Sequence, residues 1–244
     1  MNVLNSFILT FLAGFATMVG YLVIYLPYKY KDNIINASLS FAVGVMVTIS
    51  IFDLIPESFN LLFYNDFCFK LILILIFIVV GVCFSIIMDR VVPNSNFLYK
   101  IGLVSLFSII MHNIPEGVIT FITANNNSNL GIKIAVAIAL HNIPEGISIA
   151  VPLYYSTKNK KKVFTLLLIS ALSEPLGAVL GLILSKYITT NILGFIYAFI
   201  VGLMLYISLY EILPATTKYK RYLFSAIFMI VGGLIMFSSF ILLD

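Results

Sequence analysis

The hexapeptide His112-Asn113-Ile114-Pro115-Glu116-Gly117 recurs letter for letter as His141-Asn142-Ile143-Pro144-Glu145-Gly146. The two copies hold the only 2 histidines among 244 residues, and each lies inside a long apolar segment. His and Glu four residues apart share one face of a helix, so each copy can offer an imidazole nitrogen and a carboxylate to one ion. The asparagine after each histidine is turned about 100° round the helix, where its amide oxygen can serve a neighbouring position. An ionised carboxylate at the centre of a bilayer costs about 2.5–3.5 kcal/mol on insertion scales, so its presence there points to function. Nitrogen, carboxylate and amide donors together suit Zn²⁺, Fe²⁺, Mn²⁺, Co²⁺ and Cd²⁺. They argue against a dedicated Cu(I) site, which would hold more sulfur, and against Mg²⁺, which takes all-oxygen shells.

Other residues converge on the same depth. Glu174-Pro175-Leu176-Gly177 lies at the midpoint of a later apolar segment, and Met46 at a similar depth of an earlier one offers a thioether. His112, Asn113, Glu116, His141, Asn142, Glu145 and Glu174 exceed the four ligands of tetrahedral zinc. Two adjacent metal positions bridged by Glu116 and Glu145 would use them all. Each proline removes a backbone donor, so the carbonyls of Met111 and Leu140 are expected to lose their usual partners and face a polar cavity. The glycine after each glutamate allows close helix packing. A purely structural hydrogen-bonding role fits a single motif better than two identical ones with Glu174 at matching depth. Core packing competes with ligation for Met46. A plain interfacial role competes with a pathway role for Asp53, Glu57 and Glu211, which lie near helix ends.

These residues need a membrane scaffold. The chain is 61% hydrophobic and 10% charged, against about 25% charged in soluble domains. Uncharged runs such as Leu71–Met88 and Tyr222–Leu243 can cross a hydrocarbon core about 30 Å thick. The expected fold is an all-α membrane protein of one domain over residues 1–244. Eight helices are expected at about 3–26, 33–57, 69–88, 99–123, 130–153, 162–186, 191–213 and 222–243. The asparagine-rich stretch 125–129 reads as a loop, as does Lys158 to Lys162. No secretory signal is evident, and no soluble domain is expected. Cys68 and Cys83 are not expected to pair.

The basic residues fix an orientation. With the N-terminus outside, Lys29, Lys31, Arg90, Lys100, Lys158, Lys160, Lys161, Lys162, Lys218, Lys220 and Arg221 fall in the cytoplasm, while only Lys70, Lys133 and Lys186 fall outside. Both termini are then outside. The net charge of +4 follows membrane side, so it gives no reason to expect nucleic acid. Phe41 to Ser50 also matches Phe199 to Ser208, and both stretches continue to an acid and a proline, Asp53 with Pro56 and Glu211 with Pro214. The two helices run in opposite directions under this topology. An inverted repeat of helices 1–3 and 6–8 around a central pair follows, an architecture shared by many secondary transporters.

With these motifs the chain resembles the ZIP (Zrt/Irt-like) family of divalent metal transporters, most closely the bacterial ZupT type. The carrying residues are the two His-Asn-Ile-Pro-Glu-Gly hexapeptides and Glu174-Pro175-Leu176-Gly177. The eight helices and the 3+2+3 pattern extend the resemblance over the whole chain. It implies uptake of Zn²⁺ and Fe²⁺, with Mn²⁺, Co²⁺ and Cd²⁺ as further substrates, across the cell membrane into the cytoplasm. By position, one metal would meet His112, Glu116, His141 and Glu145, and another Asn113, Asn142, Glu174 and the shared glutamates. Met46 falls where some members place an additional ligand. The long histidine-rich loop of many eukaryotic members is absent between helices three and four. Divalent cations and the lipid bilayer are the implied partners; the oligomeric state is open, a homodimer included. The competing class is an intramembrane metalloenzyme, but the His-Glu-x-x-His motif of such enzymes is missing because asparagine follows each histidine. No nucleotide-binding motif occurs either.

Overall fold

The computed structural model describes residues 3–92 and 96–243. Among them are eight helices long and apolar enough to cross a membrane. They are α1 (Val3–Tyr25), α2 (Tyr28–Leu61), α3 (Phe67–Val91), α4 (Phe97–Asn126), α5 (Ser128–Thr157), α6 (Lys160–Leu184), α7 (Thr190–Thr217) and α8 (Tyr222–Ile241). No strand occurs among the described residues. Large apolar side chains such as Leu22, Phe63 and Leu223 stand exposed, while His112, Glu145 and Glu174 are fully buried. That is the distribution a bilayer selects, because hydrocarbon tolerates apolar surface and leaves polar groups no partner outside the protein.

The helices pack as two groups. One comprises α1, α4, α5 and α6, with α4 against α6 and α1 against α5 as its principal contacts. The other comprises α2, α3, α7 and α8, with α2 against α8 and α3 against α7. The groups meet mainly where α2 touches α5 and where α7 touches α4. Small residues set the closest approaches. A methyl on Gly44 of α2 would strike the Met229 carbonyl of α8, and one on Gly202 of α7 would strike the Ile78 carbonyl of α3. Gly44 and Gly202 are matched positions of the two similar sequence stretches, and they make matched contacts.

Four local features differ from the sequence expectation. First, α1 is not a uniform helix: it tightens to three-residue turns over Ala16–Tyr25, where Gly20 presses directly on the backbone of Gly146. Second, α2 and α7 each contain a wide turn, Ser50–Leu54 and Ile207–Ile212. Pro56 and Pro214 follow these turns, and an ordinary turn would drive each proline ring into the carbonyl four residues back. The Ser50 hydroxyl donates to the Met46 carbonyl at 2.8 Å, and Ser208 donates to Met204 at 2.7 Å. Third, the asparagine stretch is barely a loop. Asn127 alone separates α4 from α5, and its side chain accepts from Leu130 N at 3.2 Å to cap α5. Fourth, the basic loop is mostly helix: α6 starts at Lys160, capped by Asn159, and Lys158 adopts φ 57°. Lys158 Nζ sits 4.2 Å over the Tyr28 ring and 4.7 Å over Tyr155, tying two helix connections together. Cys68 and Cys83 are free thiols, as expected.

Candidate metal centre

The two hexapeptides lie on α4 and α5, which pack along each other. Both helices run unbroken through Pro115 and Pro144. Leu140, four residues before Pro144, borders a cavity. The cavity is apolar, of about 580 Å³, and is lined also by Pro144, Val45, Val136 and Leu234, because this side of α5 turns toward α8 rather than toward the site. The glycine ending each motif sets the spacing to the next helix. A methyl on Gly117 would strike the Glu174 carbonyl of α6, and one on Gly146 would strike the Thr17 carbonyl of α1. The repeated sequence therefore brings a third and a fourth helix against the pair.

Glu116 is the hub. Its Oε1 lies 3.2 Å from His112 Nε2 and 3.2 Å from His141 Nε2, and its Oε2 lies 3.2 Å from the same His141 nitrogen. His112 Nε2 also faces Glu145 Oε1 at 3.5 Å. The two imidazole centroids are 6.0 Å apart. His112, Glu116 and His141 each present a ligand atom within 4.8 Å of the others. Those spacings exceed metal–ligand bond lengths and are what atoms sharing one ion show among themselves. Glu174 joins through Asn142, whose Nδ2 donates to Glu174 Oε2 at 2.8 Å and to the Ala13 carbonyl at 2.9 Å.

Oxygen donors remain unused. Asn113 Oδ1 and Nδ2, Asn142 Oδ1, Glu174 Oε1 and both Glu145 oxygens are buried without a hydrogen-bond partner among the described residues. A buried polar group without a partner costs about 1–3 kcal/mol, and more when charged. A cation with its own coordination demand would remove that cost, and the donor set fits Zn²⁺ or a harder divalent ion.

Not every predicted residue joins. Met46 is buried at 1% exposure and belongs to the apolar core of the helices. Asp53 sits in the wide turn of α2 and opens, beside Lys133, into a cavity of about 320 Å³ formed with α5 and α8. Glu211 occupies the matched turn of α7 and groups instead with Asp89, whose Oδ1 is 2.6 Å from Lys100 Nζ.

Sequence reasoning missed partners of two kinds. The Ala13 carbonyl and Thr17 come from α1, to which the sequence assigned no chemistry. A lone threonine between Gly14 and Gly20 was the available signal. Asp89 and Lys100 flank the segment between α3 and α4, and nothing local ties them to Glu211.

Residues 93–239 match the family model described as ZIP Zinc transporter. That span covers more than half of the chain. The chain belongs to the ZIP family. Full-length relatives agree. The chain is 34% identical to a zinc transporter ZupT of Streptococcus mutans, over 99% of this chain and 98% of that protein. It is 32% identical to one from Chlorobium chlorochromatii, with 99% and 98% covered. It is 35% identical to one from Chlorobium phaeovibrioides, with 98% and 97% covered. This ZIP protein is thus of the ZupT type: a multi-pass membrane transporter of divalent metal, not an enzyme.

Proposed function

We propose that this ZIP protein carries Zn²⁺, and Fe²⁺ as a second substrate, through a two-position centre within the membrane and into the cytoplasm. Mn²⁺, Co²⁺ and Cd²⁺ are further substrates on the same donor chemistry. His112, Glu116, His141 and Glu145 hold the nitrogen-rich position. Asn113, Asn142 and Glu174, with the shared glutamates, hold the oxygen-rich one. The observation that carries the reading is Glu116 facing both imidazoles beside buried, unpartnered oxygens. The relatives' names support zinc as the principal cargo.

Each residue has a task. Glu116 accepts the ion between the two imidazoles and offers its second oxygen onward. Asn142 holds Glu174 in place while keeping its own Oδ1 free for metal. Asp53 draws the cation in from outside, where both chain termini lie, and Glu211 receives it on the cytoplasmic side. Membrane potential assists: a divalent ion gains about 4.6 kcal/mol per 100 mV on moving to a negative interior.

Metal flux into sealed vesicles of known orientation tests the reading. Purified protein should accumulate Zn²⁺ inside, and Glu116→Ala should not, at matched amounts of folded protein. Metal binding to the purified protein without flux into the vesicles would overturn the proposed path through this centre.

A further inference from the structure

Hydroxyls inside these helices usually return to a carbonyl of the preceding turn. Thr10 donates to Ser6 at 2.9 Å, Thr48 to Gly44 at 2.8 Å, and Thr157 to Leu153 at 2.7 Å. Thr17 does not. It is fully buried, and its Oγ1 has no hydrogen-bond partner among the described residues. Its natural acceptor, the Ala13 carbonyl, takes the Asn142 amide instead at 2.9 Å. The tightened turns begin at Ala16, so the backbone is rewound where this hydroxyl is released.

The neighbours of Thr17 place it at the centre. Its carbonyl abuts Gly146, the residue after Glu145, and a methyl on Gly14, one turn earlier, would touch the Glu174 side chain. The contact of Thr17 with Gly146 repeats that of Glu174 with Gly117: in both, the added methyl would meet the carbonyl oxygen, the carbonyl carbon and the Cα of its neighbour. Thr17 therefore stands to the α5 motif as Glu174 stands to the α4 motif. Glu174 reaches across to Asn142, the asparagine of the opposite motif. By the same correspondence, the asparagine of the motif opposite Thr17 is Asn113 on α4. Asn113 is fully buried, and neither its oxygen nor its nitrogen has a hydrogen-bond partner among the described residues.

We propose that Thr17 supplies a neutral oxygen ligand to the cation on the α1 side of the centre, beside Asn113. The inference rests on the reading that a divalent cation passes through this centre. A hydroxyl and an amide oxygen are hard, uncharged donors. They raise the coordination number without adding charge, which favours six-coordinate Mn²⁺ and Fe²⁺ over four-coordinate Zn²⁺. Thr17 then tunes selectivity, and α1 becomes part of the metal path rather than a lipid-facing wall.

The test compares Thr17→Val, which keeps the shape and deletes the oxygen, with Thr17→Ser, which keeps the oxygen. Initial rates of uptake into vesicles are measured for Zn²⁺, Fe²⁺ and Mn²⁺, with thermal unfolding in detergent as a control. Thr17→Val should raise KM about tenfold for Fe²⁺ and Mn²⁺ and only about twofold for Zn²⁺, with unchanged maximal rates. Thr17→Ser should restore the wild-type ratios. Unchanged KM values in Thr17→Val would overturn the proposal, as would a fall in unfolding temperature and maximal rate at constant selectivity. Glu116→Ala run in parallel separates the two readings. Were it to transport normally, the metal path itself would be misplaced; a silent Glu116→Ala beside an unaltered Thr17→Val would remove Thr17 alone.

Discussion

The two hexapeptides are identical in sequence and unequal in place. On α4, Glu116 faces both histidines, while Asn113 makes no hydrogen bond among the described residues. On α5, Glu145 reaches only His112, at 3.5 Å, while Asn142 makes two bonds. The difference originates in the helix behind each copy. α4 lies against α6, which carries Glu174, and α5 lies against α1, which carries Thr17 at the corresponding contact. A duplicated motif thus yields one glutamate that faces both imidazoles and another that faces one, and one asparagine with two hydrogen bonds and another with none among the described residues. Chemical asymmetry enters through the neighbours, not through the motif.

That comparison breaks most visibly at the glutamates. Glu116→Gln should reduce Zn²⁺ uptake about a hundredfold, and Glu145→Gln about tenfold, because only Glu116 touches both imidazoles. Initial-rate uptake at matched folded protein measures both. Equal losses would show that the two acids share the ion evenly and that the asymmetry is not functional.

The glycines sharpen it from the other side, since here the copies are equivalent. Gly117→Ala and Gly146→Ala each drive a methyl into the backbone carbonyl of the facing helix. Both should destabilise the protein by about 1–3 kcal/mol, by the cost of overpacking. Unfolding in detergent should show closely similar shifts. A large difference would mean that α1 and α6 yield unequally, and that the contact pattern overstates their likeness.

The asparagines should separate by kind of effect. Asn142→Ala strips the Ala13 carbonyl and one Glu174 oxygen of their donor, so a stability loss of about 1–3 kcal/mol is expected. Asn113→Ala removes no hydrogen bond and should leave the unfolding temperature nearly unchanged while weakening metal binding. Titration of the purified variants with Zn²⁺ and Mn²⁺ checks the second half. Equal stability losses would place an unseen partner on Asn113.

Much of this was legible in the sequence, for physical reasons. Eight apolar segments announce membrane helices because charge is expensive in hydrocarbon. His and Glu at four-residue spacing announce a shared face because helix geometry is rigid. Loops were less legible. Asn125 to Asn129 reads as a loop by composition, yet one capping asparagine suffices to turn the chain. The wide turns around Asp53 and Glu211 were hidden too. Pro56 and Pro214 were visible and aligned, but a proline signals only that something must give, not that the helix widens rather than breaks. Partners from distant helices were least legible. The bond between Asn142 and the Ala13 carbonyl joins positions 129 residues apart through a backbone atom that carries no sequence identity.

The finest difference between the copies is the surroundings of the two imidazoles. His112 Nε2 lies between Glu116 at 3.2 Å and Glu145 at 3.5 Å, whereas His141 Nε2 faces the two oxygens of Glu116 alone. Removing His112 takes away the group that both carboxylates face, so the acids should repel and respread. His112→Ala should therefore lower uptake of every metal to a similar degree. Removing His141 leaves both carboxylates around His112 and deletes one nitrogen donor. The loss should fall on Zn²⁺, which gains most from imidazole, more than on Mn²⁺, which is content with oxygen. A shift of about three- to fivefold in the Zn²⁺ to Mn²⁺ uptake ratio is expected for His141→Ala, and none for His112→Ala, each ratio being taken from competition uptake in the same vesicles. If the two variants shift the ratio equally, the imidazoles are interchangeable and the geometry around Glu116 carries no selectivity. If only His112→Ala shifts it, the nitrogen-rich position is centred on α4 alone, and Glu145 with His141 belongs to the oxygen side.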